Sequence, residues 1–397
     1  MAVSTDVQLI QELLTRGVEN IYPTREFLEK ELLSGRKLTL YTGYDPTGPS
    51  LHIGHGITMV KLRQFQDLGH KIIMLIGDFT AMIGDPTDKT SARQKLTAGE
   101  VKENYQTYTA QAQAILNFEG ENPVEVRMNS EWLGKMSFAD VLELSANFTV
   151  QRMLERDMFQ VRMEEGKPIY LHEFMYPMMQ GYDSVAMDVD GEVGGNDQTF
   201  NMLAGRNLMK DLKHKEKFVL TSKLLVDSVG KKMGKSEGNA ILLSDSPEDI
   251  FGKVMRWTDD MILLGFELCT RVSLQEISEI KKSLESGENP RDAKIRLAYE
   301  TTKTFLGEDA ARQGQEYFAS VIQSNEKPEE ITELTPSAFD IVTVLVEAGF
   351  VKSKTEAKQN IEGGGVKVND EKVESFDVVL KSGDVVQKGK RFFVRVK

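Results

Sequence analysis

The sequence predicts an α/β fold built on a parallel sheet, followed by an α-helical domain and a small α+β domain. Strand-like and helix-like runs alternate in the first third of the 397-residue chain, as they do in parallel sheets with crossover helices. The stretch from about 246 to 325 carries only helical patterns. The residues after 335 add short strands and tight turns to two short helical patterns.

The elements of the first third follow from its apolar runs. In chain order we predict a strand over 37–44 (KLTLYTGY), a helix over 54–68, a buried strand over 71–79 (KIIMLIGDF), a Gly/Pro/Asp/Thr-rich loop over 84–90, one polar amphipathic helix to about Phe118, and a short strand, VEVRM. Parallel sheets bind ligands at the ends of strands that are followed by glycines or by the start of a helix. His55 and Asp85 both lie at such positions.

Helical patterns separate the later strands from the earlier ones. From Trp132 to Met187, apolar residues recur at three- and four-residue spacing, which indicates helices. The residues GGND, a further helix and the strand-like KFVLTSKLLV follow. This order predicts a Rossmann-like nucleotide-binding domain with a helical insertion.

The acidic segment NEKPEEITELTPS carries two prolines and is typical of a linker. The predicted ranges are 1–245 for the Rossmann-like domain, with its insertion at about 130–190, 246–325 for the helical domain, 326–335 for the linker and 336–397 for the small α+β domain.

Composition and charge narrow the class of protein. The longest aliphatic run, Ile72–Ile76, is far too short to span a bilayer, so we expect no membrane insertion. The first residues lack the features of a secretory signal and Cys269 has no partner for an intrachain disulfide, so we expect a cytoplasmic location. The net charge of −12 argues against wholesale coating of nucleic acid. The segment from Thr335 onwards, however, contains 11 Lys and Arg and 9 Asp and Glu, which gives it a net charge of +2.

Two of the five histidines fall within the four residues His52-Ile53-Gly54-His55. They lie where a predicted strand and loop lead into a helix, whose N-terminus offers N–H groups and a positive dipole end to an anion. Gly54 would let a nucleotide approach the backbone. Imidazole N–H groups at this point could donate to a phosphate that gains charge during a displacement. Two loop histidines with ordinary hydrogen bonds are the alternative for an isolated pair.

A lysine motif follows much later in the chain. Lys232, Lys235 and Ser236 supply two cations and a hydroxyl beside glycines, which suits a loop that closes on pyrophosphate and later releases it. A Walker A loop is excluded, because Val229 occupies the position of its first glycine. A solvated lysine loop would be preferred if the histidine motif were absent. The two motifs in this order indicate ATP held for attack at its α-phosphate.

The paired motifs resemble the HIGH and KMSKS motifs of class I aminoacyl-tRNA synthetases, with Gly234 in place of the middle serine. The likeness extends to YTGYDPT, SLHIGH, GDPTDKTSAR, YPMMQGYD, GGNDQ and KMGKS, which together resemble the bacterial tyrosyl-tRNA synthetase family. The tail resembles an S4-type RNA-binding domain. The resemblance implies that the chain activates tyrosine with ATP and transfers it to the terminal adenosine of tRNA(Tyr).

The resemblance also implies the site residues. For tyrosine they are Tyr41 and Asp183 at the phenolic hydroxyl, Asp85, Tyr176 and Gln180 at the α-ammonium, and Gln198 at the carboxylate or the ammonium. For ATP they are Asp45, Thr47, His52, Gly54, His55, Thr58, Asp197, Gln198, Lys232, Lys235 and Ser236. For catalysis they are His52, His55, Lys232, Lys235, Lys89 and Arg93. The spacing of Tyr176, Gln180 and Asp183 places them on one face of one helix.

The partners expected from the resemblance are L-tyrosine, ATP with Mg²⁺, tRNA(Tyr) and a second copy of the chain. Magnesium would neutralise the phosphates without a dedicated carboxylate cage, so no metal ligand is assigned. The homodimer would form through the insertion near Phe148 to Phe159, and tRNA would bind across both subunits.

Three alternatives remain at this point. A tryptophan-specific enzyme shares the motifs, but Tyr41 and Asp183 favour a phenol over an indole. A small-molecule adenylyltransferase does not explain the helical domain or the basic tail. A catalytically silent RNA-binding protein does not explain why both histidines and both lysines are present.

Overall fold

The computed structural model describes residues 1–87, 96–226, 230, 240–323, 331–351, 353–373, 375–389 and 392–397. The chain divides into two units, Met1–Ala311 and Arg312–Lys397. The predicted fold class is confirmed, because the first unit has a mainly parallel sheet with helices and the second has a small sheet with two helices. The predicted domain boundaries stay predictions.

A six-stranded sheet organises the first unit. Its strands are β1 (Val18–Tyr22), β2 (Thr39–Tyr44), β3 (Lys71–Ile76), β4 (Glu125–Met128), β5 (Gly191–Gly195) and β6 (Phe218–Ser222). Their order across the sheet is β1-β6-β5-β2-β3-β4, with β1 antiparallel to β6 and the other neighbours parallel. The chain order reverses between β2 and β5, and the crevice beyond the carboxyl ends of two such strands is where open sheets bind ligands.

Helices connect the strands of this sheet. They are α1 (Val7–Thr15), α2 (Arg25–Leu33), α3 (Ile53–Asp67), α4 (Ala98–Tyr105), α5 (Tyr108–Ala112), α6 (Ser130–Leu133), α7 (Phe138–Ser145), α8 (Val150–Leu154), α9 (Asp157–Glu164), α10 (Leu171–Met187) and α11 (Thr199–Lys213), with 3-10 turns at Thr80–Met82 and Asn196–Gln198. Helices α6 to α10 lie between β4 and β5 in the chain.

The prediction of one continuous helix up to about Phe118 is wrong, because the structure has two helices, α4 and α5, in that stretch. Tertiary hydrogen bonds accompany the break. The Thr107 hydroxyl donates to the carbonyl of Pro49 over 3.0 Å, and the Tyr108 hydroxyl donates to the carbonyl of Gly48 over 2.7 Å. The interruption therefore fixes the loop that precedes the histidine motif.

The later helices of the chain are α12 (Pro247–Met255), α13 (Met261–Cys269), α14 (Leu274–Glu285), α15 (Pro290–Leu306) and α16 (Glu308–Tyr317), followed by a π-helical turn at Phe318–Gln323. Helix α15 packs against the start of α3, because a Cβ on Gly56 would lie 2.5 Å from Cε1 of Phe305. Phe305 thus supports the helix that begins at the histidine motif. No helix of the residues described here has the length and apolar character needed to cross a membrane.

The second unit has its own sheet and core. Its elements are β7 (Thr332–Leu334), α17 (Ile341–Glu347), α18 (Lys354–Glu362), β8 (Val366–Val368), β9 (Glu371–Lys372), β10 (Val385–Lys388) and β11 (Phe392–Val396). The sheet order is β7-β11-β10-β8-β9. Asn369 and Asp370 adopt positive φ angles in the turn between β8 and β9, and β10 and β11 form an antiparallel pair. Buried aliphatic side chains such as Leu345 and Val386 form a core between the helices and the sheet.

His70 makes the stability of the first unit depend on pH. Its side chain is fully buried, and its Nδ1 accepts the backbone N–H of Leu38 over 3.3 Å. Burial, assisted by the charges of Lys37 and Arg36, lowers the pKa of His70 from 6.5 to about 4. The unfolded chain therefore takes up the proton more readily, so this contribution to stability is complete above the unfolded pKa and is lost as the pH falls towards about 4.

We predict that unfolding free energy falls by about 2 kcal/mol between about pH 7 and about pH 5 on account of His70. His70→Asn keeps an acceptor near the Leu38 amide and cannot take a proton, so its loss over the same interval should be smaller by that amount. Urea unfolding of both proteins at the two pH values measures the difference. Identical pH dependence in the two proteins would contradict this role of His70.

Candidate active site

Several of the predicted site residues lie at the carboxyl ends of the parallel strands. Asp45 follows β2, and Asp197 and Gln198 follow β5. Asn129, which the sequence did not single out, follows β4. Helix α10 lies over this edge and carries Tyr176, Gln180 and Asp183, as the sequence spacing predicted. Polar side chains from separate parts of the chain therefore meet at one edge of the sheet.

The histidine motif forms the start of α3. His52 is the N-cap, and its Nδ1 accepts the backbone N–H of Gly54 over 3.1 Å, while Nδ1 of His55 accepts the backbone N–H of His52 over 3.2 Å. The two rings stack with centroids 3.8 Å apart. Because each Nδ1 accepts a hydrogen bond, each neutral ring carries its proton on Nε2 and can donate it. A Cβ on Gly54 would lie 2.9 Å from the His52 ring, so glycine is also needed here for the histidine itself.

The lysine motif, with Lys232, Lys235 and Ser236, lies outside the described residues, as do Lys89 and Arg93. The roles of these five residues stay predictions.

The chain that follows the lysine motif pairs with the histidine motif. The N–H of Ile53 donates to the carbonyl of Ile241 over 2.8 Å, and the N–H of Leu243 donates to the carbonyl of Leu51 over 2.9 Å. Residues just beyond the lysine motif are thus bound to the start of α3.

Asp183 provides a buried carboxylate at one end of the site. Only 2% of its surface is exposed. Its Oδ1 accepts the indole N–H of Trp132 over 2.7 Å, and its Oδ2 accepts the Asn129 amide N–H over 3.3 Å. Burial raises the pKa of the Asp183 carboxyl well above its ordinary value, whereas these two donors act in the opposite direction.

Tyr41 is buried beside the same end of the site. It belongs to an apolar cluster against which Trp132 packs. The Tyr41 hydroxyl oxygen lies 2.9 Å from the hydroxyl oxygen of Ser184, the residue that follows Asp183. This hydrogen bond fixes the position of the Tyr41 hydroxyl. Burial, with the carboxyl groups of Glu192 and Asp183 nearby, holds the pKa of Tyr41 well above its ordinary value. Tyr41 consequently keeps its proton at neutral pH.

Hydrogen bonds connect Asp183 with the loop after β2. Thr80 donates to Oδ1 of Asp45 over 2.7 Å, and the Asn129 amide donates to the Thr80 hydroxyl over 3.0 Å as well as to Asp183. The Tyr176 hydroxyl donates to Oδ2 of Asp45 over 2.8 Å. Because Tyr176 and Asp183 both belong to α10, these bonds form a closed circuit between the helix and three strand ends. We call this set, Tyr176–Asp45–Thr80–Asn129–Asp183, the Asp45–Asp183 circuit.

A glycine makes this circuit possible. A Cβ on Gly77 would lie 2.0 Å from Oδ1 of Asp45 and 2.5 Å from the Thr80 hydroxyl oxygen. Any side chain at position 77 would displace both groups. Gly77 directly follows β3, so the close approach occurs at the edge of the sheet.

Asp85 and Gln180, two of the residues predicted to bind the ammonium, form hydrogen bonds to different partners. Oδ2 of Asp85 accepts the amide N–H of Gln198 over 2.8 Å, and its Oδ1 accepts the Thr87 hydroxyl over 2.6 Å. The amide of Gln180 donates to Oε1 of Glu192 over 3.1 Å. The structure therefore brings Asp85 and Gln198 together but shows no direct bond from Asp85 to Gln180 among the described side chains. The predicted binding of an ammonium by these residues is untested.

The remaining predicted ATP residues lie near the histidine motif and after β5. The Thr58 hydroxyl donates to the carbonyl of His55 over 2.8 Å and lies 3.0 Å from the Tyr44 hydroxyl. The N–H of Thr47 donates to the carbonyl of Asp45 over 2.8 Å. Asp197 occupies the 3-10 turn after β5, where a Cβ on Gly195 would lie 2.5 Å from its Oδ1.

Four residues of this region were not identified from the sequence. They are Thr80, Asn129, Trp132 and Arg156. Arg156, from the loop between α8 and α9, donates to the Thr87 hydroxyl over 2.6 Å and has its Nη2 4.0 Å from Asp85. The sequence contains only weak indications of two of these residues. Asn129 directly follows the predicted strand VEVRM, and Trp132 is one of only two tryptophans.

The arrangement combines two kinds of chemistry. One end offers a buried acceptor, Asp183, and a protonated hydroxyl, Tyr41, which together match a group that both donates and accepts a hydrogen bond. The other end offers imidazole N–H donors at a helix N-terminus, which match an anion. In the part of the chain that is described, no three His, Cys, Asp or Glu side chains cluster as a metal site requires.

Comparison with known families covers nearly all of the chain. Residues 33–323 match the family described as tRNA synthetases class I (W and Y), and residues 322–396 match the tyrosine–tRNA ligase SYY-like C-terminal domain. The tyrosine–tRNA ligase of Haemophilus influenzae is 43% identical over 396 residues, covering 99% of this chain and 98% of that protein. That of Thermotoga maritima is 42% identical over 391 residues, with 97% and 96% covered.

A solved structure agrees in fold. The C-terminally truncated mitochondrial tyrosyl-tRNA synthetase of Aspergillus nidulans superposes with a TM-score of 0.68 at 24% identity, covering 78% of this chain and 93% of that one. At this identity the likeness establishes the fold alone. The two sequence matches establish more: the chain belongs to the tyrosine–tRNA ligase family of class I tRNA synthetases.

Proposed function

We propose that the chain is a tyrosine–tRNA ligase that activates L-tyrosine with ATP and then esterifies the 3′-terminal adenosine of tRNA(Tyr). Membership of the family supports this function. The observation that carries it is the buried carboxylate of Asp183, held by Trp132 and Asn129 beside the hydroxyl of Tyr41.

Recognition of the phenol follows from this pair. Each oxygen of Asp183 already accepts one hydrogen bond and keeps capacity for another, so the carboxylate can accept the phenolic O–H of tyrosine. Tyr41 can donate its own proton to the phenolic oxygen. An amino acid without the hydroxyl would leave both groups buried and unpaired, which costs about 1–3 kcal/mol for a neutral group and more for a charged one. The same argument favours tyrosine over tryptophan, the other substrate of the wider family.

Activation requires positioning more than acid–base chemistry. The carboxylate of tyrosine is a nucleophile at neutral pH, so one of its oxygens bonds to the α-phosphorus of ATP while the bond to the β-phosphate oxygen breaks and pyrophosphate leaves. We assign the Nε2–H groups of His52 and His55 to the phosphate oxygens that gain negative charge in the transition state. Lys232 and Lys235 are proposed to bind the departing pyrophosphate.

Asp85, Tyr176 and Gln180 are proposed to bind the ammonium, with Gln198 beside them. Asp85 offers a half-buried carboxylate, and its bond to Gln198 supports the placement of this amide near the amino acid. The remaining members of the ATP set are Asp45, Thr47, Gly54, Thr58, Asp197 and Ser236. Lys89 and Arg93 are proposed to cover the phosphates.

Magnesium is expected to arrive with ATP rather than in a cage of protein ligands. The side chains described in this chain offer no group of three His, Cys, Asp or Glu for a metal ion. Mg²⁺ retains several waters and binds readily through nucleotide phosphates. No step of the proposed reaction is therefore assigned to a protein-bound metal.

Transfer requires binding of tRNA, for which we propose the second unit, of the S4-like RNA-binding type. Lys388 places its ammonium 5.6 Å from the ring centre of Phe392, and Lys358 lies 5.5 Å from that of Phe376. Cations beside half-exposed aromatic rings suit phosphates and unstacked bases. We place the enzyme in the cytoplasm, where tRNA is charged.

We also propose that two copies associate through the helical insertion. Phe138 and Leu171 are 79% and 78% exposed, and Val150 is 61% exposed. A contiguous patch of large exposed apolar side chains marks an interaction surface, and we propose that these three belong to such a patch. Phe159, by contrast, is fully buried in the insertion. Val150 inside the predicted range 148–159 and Phe138 and Leu171 on either side of it are therefore the better interface residues.

Replacing Phe138 and Leu171 by Asp should convert the dimer to a monomer, because two charges would have to be buried in the interface. Sedimentation velocity at micromolar concentration measures the mass. Leu9→Asp is the matched control, since Leu9 is also exposed (53%) but belongs to α1. An unmodified protein that sediments as a single chain would contradict the proposed dimer.

The activity itself is tested by exchange of labelled pyrophosphate into ATP. We predict exchange that depends on tyrosine and is at least about 100-fold slower with equal concentrations of phenylalanine or tryptophan, because the buried polar groups lose their partner. Equal rates with tryptophan, or no exchange with any amino acid, would overturn the assignment to tyrosine.

A further inference from the structure

A lysine and a glutamate form an ion pair beneath the proposed tyrosine site, entirely shielded from water. The side chains of Lys217 and Glu192 are 0% and 2% exposed, and the Lys217 ammonium donates to Oε2 of Glu192. Lys217 immediately precedes β6, while Glu192 on β5 pairs directly with Tyr41 on β2. The pair therefore lies between two central strands and α10.

All three protons of the Lys217 ammonium have an acceptor. Besides Glu192, it donates to the Ser184 hydroxyl oxygen over 2.7 Å and to the carbonyl of Met202 over 3.3 Å. Glu192 in turn accepts the amide of Gln180 over 3.1 Å. The pair thus contacts residues at both proposed ends of the amino acid: Ser184 beside the phenol and Gln180 towards the ammonium.

The cation determines the direction of the next hydrogen bond. An ammonium only donates, so the Ser184 oxygen must accept from Lys217. The Ser184 oxygen could accept a second bond from Tyr41, but the Ser184 proton would then have no acceptor among its described partners, which are Lys217 and Tyr41. The satisfied arrangement therefore has Ser184 donating to the Tyr41 oxygen, 2.9 Å away. The Tyr41 proton is left for another acceptor. Among the described residues the acceptors available to it are the carbonyl of Gln180 at 3.5 Å, the limit of bonding distance, and the carboxylate of Glu192. A phenolic oxygen bound beside Tyr41 would be a further acceptor for this proton.

The space for the ammonium depends on a glycine in α11. A Cβ on Gly205 would lie 2.7 Å from the Lys217 nitrogen and 2.8 Å from the Ser184 oxygen. Helix α11 thus leaves room for both groups where it packs against α10 near Gly181. The ammonium is enclosed by α10, α11 and β5, and its contacts are fixed by packing.

Stability alone is a poor explanation for this pair. Desolvation of two charges usually offsets their attraction, and apolar side chains of similar size often serve equally well. Burial accordingly lowers the pKa of Lys217, although Glu192 and Asp183 act against that shift.

We propose that Lys217 is a specificity-determining positioning residue: through Ser184 it orients the Tyr41 hydroxyl so that Tyr41 donates to the phenolic oxygen of tyrosine while Asp183 accepts the phenolic proton. This inference rests on the proposed function. Lys217 itself does not touch the amino acid. Its effect is confined to substrates that carry the hydroxyl, and phenylalanine gains nothing from it.

The test compares tyrosine with phenylalanine in pyrophosphate exchange by the full-length protein. Lys217→Met removes the ammonium, and Ser184→Ala breaks the connection to Tyr41 while the ion pair remains, so the second variant is informative even if the first folds poorly. We expect each to lower the tyrosine-to-phenylalanine ratio of kcat/KM about tenfold, chiefly through a higher KM for tyrosine. The double variant should lose no more than Ser184→Ala alone, because Lys217 acts through Ser184.

Lys61→Met is the matched control. Lys61 is also buried, at 4% exposure, but it donates to the backbone carbonyls of Leu13 and Arg16 and has no hydrogen bond to Ser184 or Tyr41 among the described residues. Its loss should reduce stability and leave the tyrosine-to-phenylalanine ratio unchanged. An unchanged ratio in Lys217→Met and Ser184→Ala, or equal losses with both amino acids, would overturn the inference. No tyrosine-dependent exchange by the unmodified protein would overturn the proposed function and this inference with it.

Discussion

Removal of the Asp183 carboxylate from water is the constraint on which the rest of the site depends. A carboxylate with 2% exposure is tolerable only if donors surround it, and Trp132 and Asn129 supply them from the segment after β4. Asn129 must then be held by Thr80, and Thr80 by its bond to Asp45. Each bond fixes a further strand end, so the proposed recognition of one hydroxyl involves the ends of β2, β3 and β4.

The topology of the sheet brings these polar residues together at one edge. Parallel strands bring their carboxyl ends to one edge, and the reversal between β2 and β5 opens a crevice there. Helix α10 crosses that crevice and returns to Asp45 through Tyr176, which closes the Asp45–Asp183 circuit. The chain after β2 leads into the N-terminus of α3, which presents the two imidazoles. The proposed sites for the amino acid and for a phosphate are therefore connected through β2.

The sequence predicted those groupings of site residues that depend on helical periodicity alone. Tyr176, Gln180 and Asp183 share a helix face because their spacing matches the helical repeat, and His52 and His55 meet at a helix start for the same reason. Thr80, Asn129 and Trp132 could not be found, because spacing does not reveal which strand ends are neighbours. Lys217 stands in the run KHKEKF, which is typical of a solvated turn; only the fold shows that it alone of these lysines is buried. The break between α4 and α5 likewise depends on tertiary bonds to a distant loop.

The claim that donors to Asp183 create the site for the phenol is tested most directly by the affinity of Trp132→Phe for L-tyrosine and L-phenylalanine, measured by calorimetry without ATP. The ring remains, but the 2.7 Å hydrogen bond is lost. We predict that the Kd for tyrosine rises at least about tenfold while that for phenylalanine changes less than about twofold. Trp257→Phe, at the other tryptophan, which is buried at 6% exposure, should change neither. Unaltered tyrosine affinity in Trp132→Phe, or an equal loss for both amino acids, would contradict the account.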